Sequence, residues 1–186
     1  MRCDDLDKTI MMLRWVTNHC LLKSSEDDIR SYVLFIDDDY YLNVDALVEY
    51  LKSIDEDEKR TTSERQTFIT GYVHESARPR RDPSSRWFIS MRDYPYEYYP
   101  PFLGGGCILM TRYNARLLYI ASKYMPVLPL EDVYIGLLAY SLSIDPVKNN
   151  RRVDPFNSKI KWHETMFLSL RRFFFGAETR YCVTGY

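Results

Sequence analysis

Strand-like and helix-like segments alternate along the chain, which predicts an α/β protein with a layered sheet flanked by helices. Three observations carry this reading. YVLFI at 32–36 and TFITGYV at 67–73 are short, nearly continuous apolar runs rich in β-formers, as buried strands are. Between and after them, apolar residues recur at helical spacing over 8–22, 44–51 and 113–123. The 186 residues are 46% hydrophobic and 27% charged, the size and balance of one globular domain rather than a fibre or a disordered chain.

From Lys8 to Leu22 the positions Met12, Leu13, Val16 and Cys20 form one apolar stripe, with Ile10 and Met11 beside it, so a helix packs there on a core. Ser24 to Asp28 reads as a polar loop, and the strand Tyr32–Ile36 runs directly into Asp37-Asp38-Asp39. Asn43 is placed to cap a helix carrying Val44, Leu47, Val48 and Leu51, which ends in the charged stretch 55–60. After the strand at 67–73, the segment from His74 to Pro101 is rich in Pro, Arg and Tyr and predicts a long ordered loop. Gly104-Gly-Gly106 reads as a turn leading into a strand that reaches Met110. A helix follows from about Tyr113 to Lys123, with Ala115, Leu118 and Ala121 or Ser122 inward. Glu131 and Asp132 then stand where another helix begins. Beyond Asp145 the pattern is basic, aromatic and unassigned.

Charge and cysteine usage narrow the function classes. A net charge of −1 gives no long-range attraction to nucleic acid or an anionic membrane, so no nucleic-acid partner is expected. Cys3, Cys20, Cys107 and Cys182 are scattered without a C-x-x-C pair, so neither structural zinc nor a thioredoxin-like centre is indicated. No run of about 20 apolar residues could span a bilayer. His19, His74 and His163 lack ligand spacing, and a lone His is more often a surface or core residue than a metal ligand.

The carboxylates carry the chemistry. On an extended chain Asp37 and Asp39 point to one side and Asp38 to the other, so the outer pair can converge on a hard divalent cation that also carries phosphate oxygens. A solvated turn or a capping cluster is the alternative. Taken alone, Glu131-Asp132 reads first as a charge-favoured helix start, and the alternative is a general base that takes a proton from an attacking hydroxyl. Gly104 to Gly106 either admit a substrate close to the backbone or merely turn the chain.

The order of these pieces resembles the β-1,3-galactosyltransferase family, which includes N-acetylglucosaminyl- and fringe-type enzymes. DDDYYLN at 37–43, FITG at 68–71, RWFIS at 86–90, YP at 94–95, YPPFLGGG at 99–106 and EDVYIG at 131–136 follow one another as the family's motifs do, from about Asp7 to about Pro146. The resemblance implies a GT-A-like mixed sheet with flanking helices. It implies an inverting transfer of galactose or N-acetylglucosamine from a UDP-sugar to a glycan hydroxyl in β-1,3 linkage, on glycoprotein or glycolipid, at the lumenal face of the Golgi membrane. Carried over to this chain, Asp37 and Asp39 would hold Mn²⁺, Asp38 would help to position the nucleotide sugar, and Asp132 would be the catalytic base. Glu131, Trp87, Gly104, Gly105 and Gly106 would line the donor and acceptor side.

Residues 1–186 are read as one partial catalytic domain, the latter part of such an enzyme, with the membrane anchor and an amino-terminal nucleotide-binding region expected only in a full-length protein. Thr184 stands about where the family carries a metal-completing His. Two other readings compete. One is a non-catalytic glycan- or metal-binding module of this fold. The other is a D-x-D phosphohydrolase, which wants a small residue and Thr or Val where this chain has Tyr40-Tyr41.

Overall fold

A computed structural model of the chain describes residues 3–20, 31–37, 40–56, 61, 64, 66–148, 167–169 and 182–183. Asp38, Asp39, Thr184, the expected polar loop at 24–28 and nearly all of the basic stretch 149–175 lie outside the described residues. Five strands form one mixed sheet in the order β5-β3-β4-β1-β7: β1 (Tyr32–Ile36), β3 (Ile69–His74), β4 (Phe102–Thr111), β5 (Val147–Lys148) and β7 (Cys182–Val183). The pairs β1–β4, β3–β4 and β1–β7 are antiparallel, whereas β3–β5 is parallel. A separate two-stranded ribbon pairs β2 (Tyr40–Leu42) with β6 (Phe167–Ser169).

The continuous apolar runs have a physical reason: both faces of the sheet are covered. Val33, Phe35, Ile108 and Met110 face one core, under α1 (Cys3–Trp15), α3 (Arg112–Ser122) and α4 (Glu131–Ser141). Tyr32, Leu34, Phe68 and Leu109 face the other, under Leu47 and Ile54 of α2 (Val44–Asp55). The period of two along each strand therefore feeds two layers instead of one layer and solvent.

Local signals set the helix limits. The Asn43 side chain accepts from the Ala46 amide at 3.0 Å and starts α2, while the exposed Val44 does not face the core expected for it. Thr111 caps α3 in the same way, accepting from Asn114 at 3.2 Å. Ala115 and Leu118 are buried as their spacing requires. The α-helical part of the first helix ends at Trp15, short of the expected Leu22, and widens into a π turn at Val16–Cys20. There the Thr17 hydroxyl donates to the Leu13 carbonyl at 2.8 Å, occupying an acceptor of the helical ladder.

The long loop 75–101 is ordered by one side chain. Arg81 donates to the carbonyls of Ile89 (2.8 Å), Ser90 (2.9 Å), Tyr94 (2.6 Å) and Tyr96 (3.0 Å), so one guanidinium gathers four backbone carbonyls. Tyr94 and Tyr99, buried and tilted on each other at 4.9 Å, then pack the loop onto the core beside Phe102. Loop and helix meet at the start of β4, where the geometry requires a glycine. A Cβ on Gly136 of α4 would stand 2.3 Å from the Phe102 Cβ, so only glycine lets the helix approach this closely.

Candidate active site

Glycines 104–106 lie inside β4, not in a turn before it, and their effect is a bulge. Gly71 pairs with Ile108 and Val73 with Leu103, so residues 104–107 oppose Tyr72 alone. Extra residues on one strand bend it and re-aim what it carries. The bulge sits at one end of the sheet, where β1 and β3 finish and the antiparallel β4 begins.

Each of the three glycines meets a different chemistry-bearing element. At Gly106 the backbone carbonyl accepts from the Asp37 amide at 3.0 Å, continuing the β1–β4 ladder one residue past the strand. At Gly105 a Cβ would lie 3.2 Å from Glu131 Oε1 and 3.7 Å from the Asp132 Cβ. At Gly104 it would lie 3.3 Å from His74 Nε2 and 3.7 Å from the Tyr72 ring. The missing side chains of Gly104 and Gly105 and the Gly106 carbonyl thus bring the end of β3, the start of α4 and the end of β1 around one short length of backbone.

The two acids at this place differ in solvation. Asp37 is exposed at the strand end, with the half-buried Cys107 thiol beside it, and that thiol is pushed up to about 12 by desolvation and then by the Asp37 charge. Asp132 is largely buried in the first turn of α4. Burial raises its carboxyl above the usual carboxylate range, against the Val133 amide, which donates at 2.8 Å, and the His74 charge, both of which pull it down. Glu131 accepts from Thr9 of α1 at 3.4 Å, which ties the acid pair to the helix layer. The Tyr99 hydroxyl, raised to about 12 by burial and further by Asp132, has no hydrogen-bond partner among the described residues.

Trp87 makes its contacts within its own loop. It is half exposed in the 75–101 loop, its amide donates to Ser85 Oγ at 3.2 Å, and the Arg86 guanidinium covers its ring at 4.3 Å. Among the described residues no three His, Cys, Asp or Glu side chains cluster as a metal site, and Asp38 and Asp39 lie outside those residues. His74 is the site residue that sequence reading missed. A single histidine carries no spacing signal, and only the bulge brings it beside Gly104.

An exposed acid at a strand end, a buried acid at a helix start and a glycine bulge between them, on a mixed sheet covered on both faces, define an α/β domain with an enzyme-like site. The sequence model of the Galactosyltransferase family matches residues 6–150, and the chain belongs to that family. It is 35% identical over 143 residues to beta-1,3-galactosyltransferase 1 of Homo sapiens and of Mus musculus, covering 77% of this chain and 40% of the relative. Beta-1,3-galactosyltransferase 5 of Homo sapiens is 35% identical over 137 residues, 74% of this chain and 39% of the relative. Beta-1,3-galactosyltransferase brn of Drosophila melanogaster is 28% identical over 137 residues, with 74% and 38% covered. The chain therefore spans about 40% of the length of these curated relatives. No helix among the described residues is long and apolar enough to cross a membrane.

Proposed function

We propose that this chain carries the catalytic carboxylate and the acid loop of an inverting glycosyltransferase with a GT-A-like fold. It would move galactose, or N-acetylglucosamine, from a UDP-sugar to a glycan hydroxyl in β-1,3 linkage. The observation that supports this most is the juxtaposition of Asp132 with the glycine bulge that also receives Asp37, within a chain of the galactosyltransferase family. Asp132 takes the proton of the acceptor hydroxyl. That oxygen bonds to the anomeric carbon from the face opposite the diphosphate, the bond from carbon to the UDP oxygen breaks with its electron pair, and the configuration inverts. A carboxyl raised by burial is a stronger base than a hydrated aspartate.

Asp37 and Asp39 would hold the divalent cation, Mn²⁺ in this reading, and Asp38 the nucleotide sugar. Hard carboxylate oxygens at the hydrated end of β1 fit such an ion, whose contribution when bound is to neutralise charge on the leaving diphosphate. Gly104 to Gly106 leave room for the donor sugar against the backbone. Glu131 and Trp87 complete the donor side in this reading. In this reading the acceptor is a glycan on a glycoprotein or glycolipid at the lumenal face of the Golgi membrane.

The test is a panel of UDP-sugars offered to the full-length protein, with and without Mn²⁺, with galactoside and N-acetylglucosaminide acceptors. Cation-dependent formation of a β-1,3 product from UDP-galactose or UDP-N-acetylglucosamine is the expected result. Saturable glycan binding without any transfer would overturn the proposal in favour of a non-catalytic module.

A further inference from the structure

His74 and Tyr72 form a surface beside Asp132 to which nothing above assigns a role. They are alternate residues of β3 and meet edge to face, with ring centroids 4.8 Å apart and planes at 81°. The imidazole is also stacked on Phe102 at 4.8 Å and 23°, so its orientation is fixed by packing. Its Nε2 lies against Gly104, where any side chain would crowd it, and the next residue adjoins Asp132.

Two features point to a ligand. Among the described residues the half-buried His74 imidazole shows no hydrogen bond, and the hydroxyl of nearby Tyr99, a residue 6% exposed, has none either. A buried polar group left unpaired is costly, so the Tyr99 hydroxyl, with the half-buried His74 imidazole beside the same carboxylate, marks a place that hydroxyl groups from outside the protein can complete. Tyr72 supplies the second feature, a ring 54% exposed next to those polar groups. An aromatic face with adjacent hydrogen-bonding groups is the combination that a sugar ring, apolar on one face and hydroxylated at its rim, can use.

We propose that Tyr72 and His74 form the acceptor-saccharide wall of this site: the sugar packs on Tyr72 and a ring hydroxyl pairs with His74 Nε2, which presents a neighbouring hydroxyl to Asp132. The inference rests on the reading of Asp132 as the base, and its test does not require turnover. The full chain is titrated with methyl β-D-galactoside and methyl β-D-N-acetylglucosaminide by saturation-transfer NMR, in the absence of donor. His74→Phe keeps the stack on Phe102 and removes the nitrogens, and Tyr72→Ala removes an exposed ring that the core does not need.

One of the two glycosides binds the unmutated chain, and each substitution weakens that binding about 3- to 10-fold, the worth of one hydrogen bond or one stacking contact. Unchanged affinity in both variants, or no binding of either glycoside to the unmutated chain, overturns the inference. If His74→Phe does not fold, the Tyr72→Ala titration decides alone. Glycoside binding weakened as described in a protein that transfers no sugar would uphold this wall and overturn the transferase proposal.

Discussion

Asp37 and Asp132 reach the same three glycines from opposite sides of the protein's solvation range. Asp37 follows a strand, is exposed and is tied to β4 through its amide. Asp132 opens a helix and is largely buried, with its carboxyl raised. In the proposed function the same side chain serves two tasks. A hydrated carboxylate stays charged and suits a cation, whereas a desolvated one holds a proton more tightly and suits base catalysis. What separates them is the element that delivers each, and what unites them is the bulge in β4.

Breaking the buried member has the largest expected effect. Asp132→Asn keeps the shape and removes the base, so transfer by the full-length protein falls about 10²- to 10⁴-fold. Its stability should move the other way. A carboxyl raised in the folded state favours folding fully below its unfolded value of 3.8, and that contribution is lost as the pH rises through the folded value. At neutral pH Asp132 is therefore a cost that Asn relieves, and thermal melting should show Asp132→Asn at least as stable as the parent chain. A fall of several degrees would contradict the burial argument.

At the exposed member, Asp37→Ala should reduce Mn²⁺-dependent UDP binding about tenfold or more, as loss of an ion ligand does, while leaving melting within about 0.5 kcal/mol as an exposed substitution should. Titration of the protein with Mn²⁺, followed by electron paramagnetic resonance, reads the first effect directly. A smaller effect, structural in origin, is expected at Gly136→Ala. The new methyl has no room against Phe102, so α4 must shift, at a cost of about 1–3 kcal/mol. Because α4 carries Asp132, denaturant melting and transfer should both decline in this variant, whereas UDP binding at the β1 end should hold.

The strands and the capped helices are legible in the sequence because their signals are local. YVLFI appears as β1 over the same residues, and Asn43 caps α2 as its position indicates. Asp37 and Asp132 stand out for the same reason, as acids at a strand end and a helix start. What was not legible depends on contacts distant in sequence. Gly104 to Gly106 read as a turn because glycine signals backbone freedom, not which strand will use it, and the bulge exists only through pairing with Gly71 and Val73. His74 was passed over because a lone imidazole has no periodicity. The order of the 75–101 loop was readable from its composition, but the Arg81 clamp behind it was not, since any of several arginines there could have supplied it. Short edge strands such as β5 and β7, with two residues each, carry too little pattern to be found at all.

The most direct measurement compares UDP binding and sugar transfer on one preparation of the full-length Asp132→Asn protein in the presence of Mn²⁺. Division of labour between the two acids requires UDP affinity close to that of the parent with transfer reduced to a per cent or less. Transfer that persists near the parent rate, or UDP binding lost together with transfer, would contradict it.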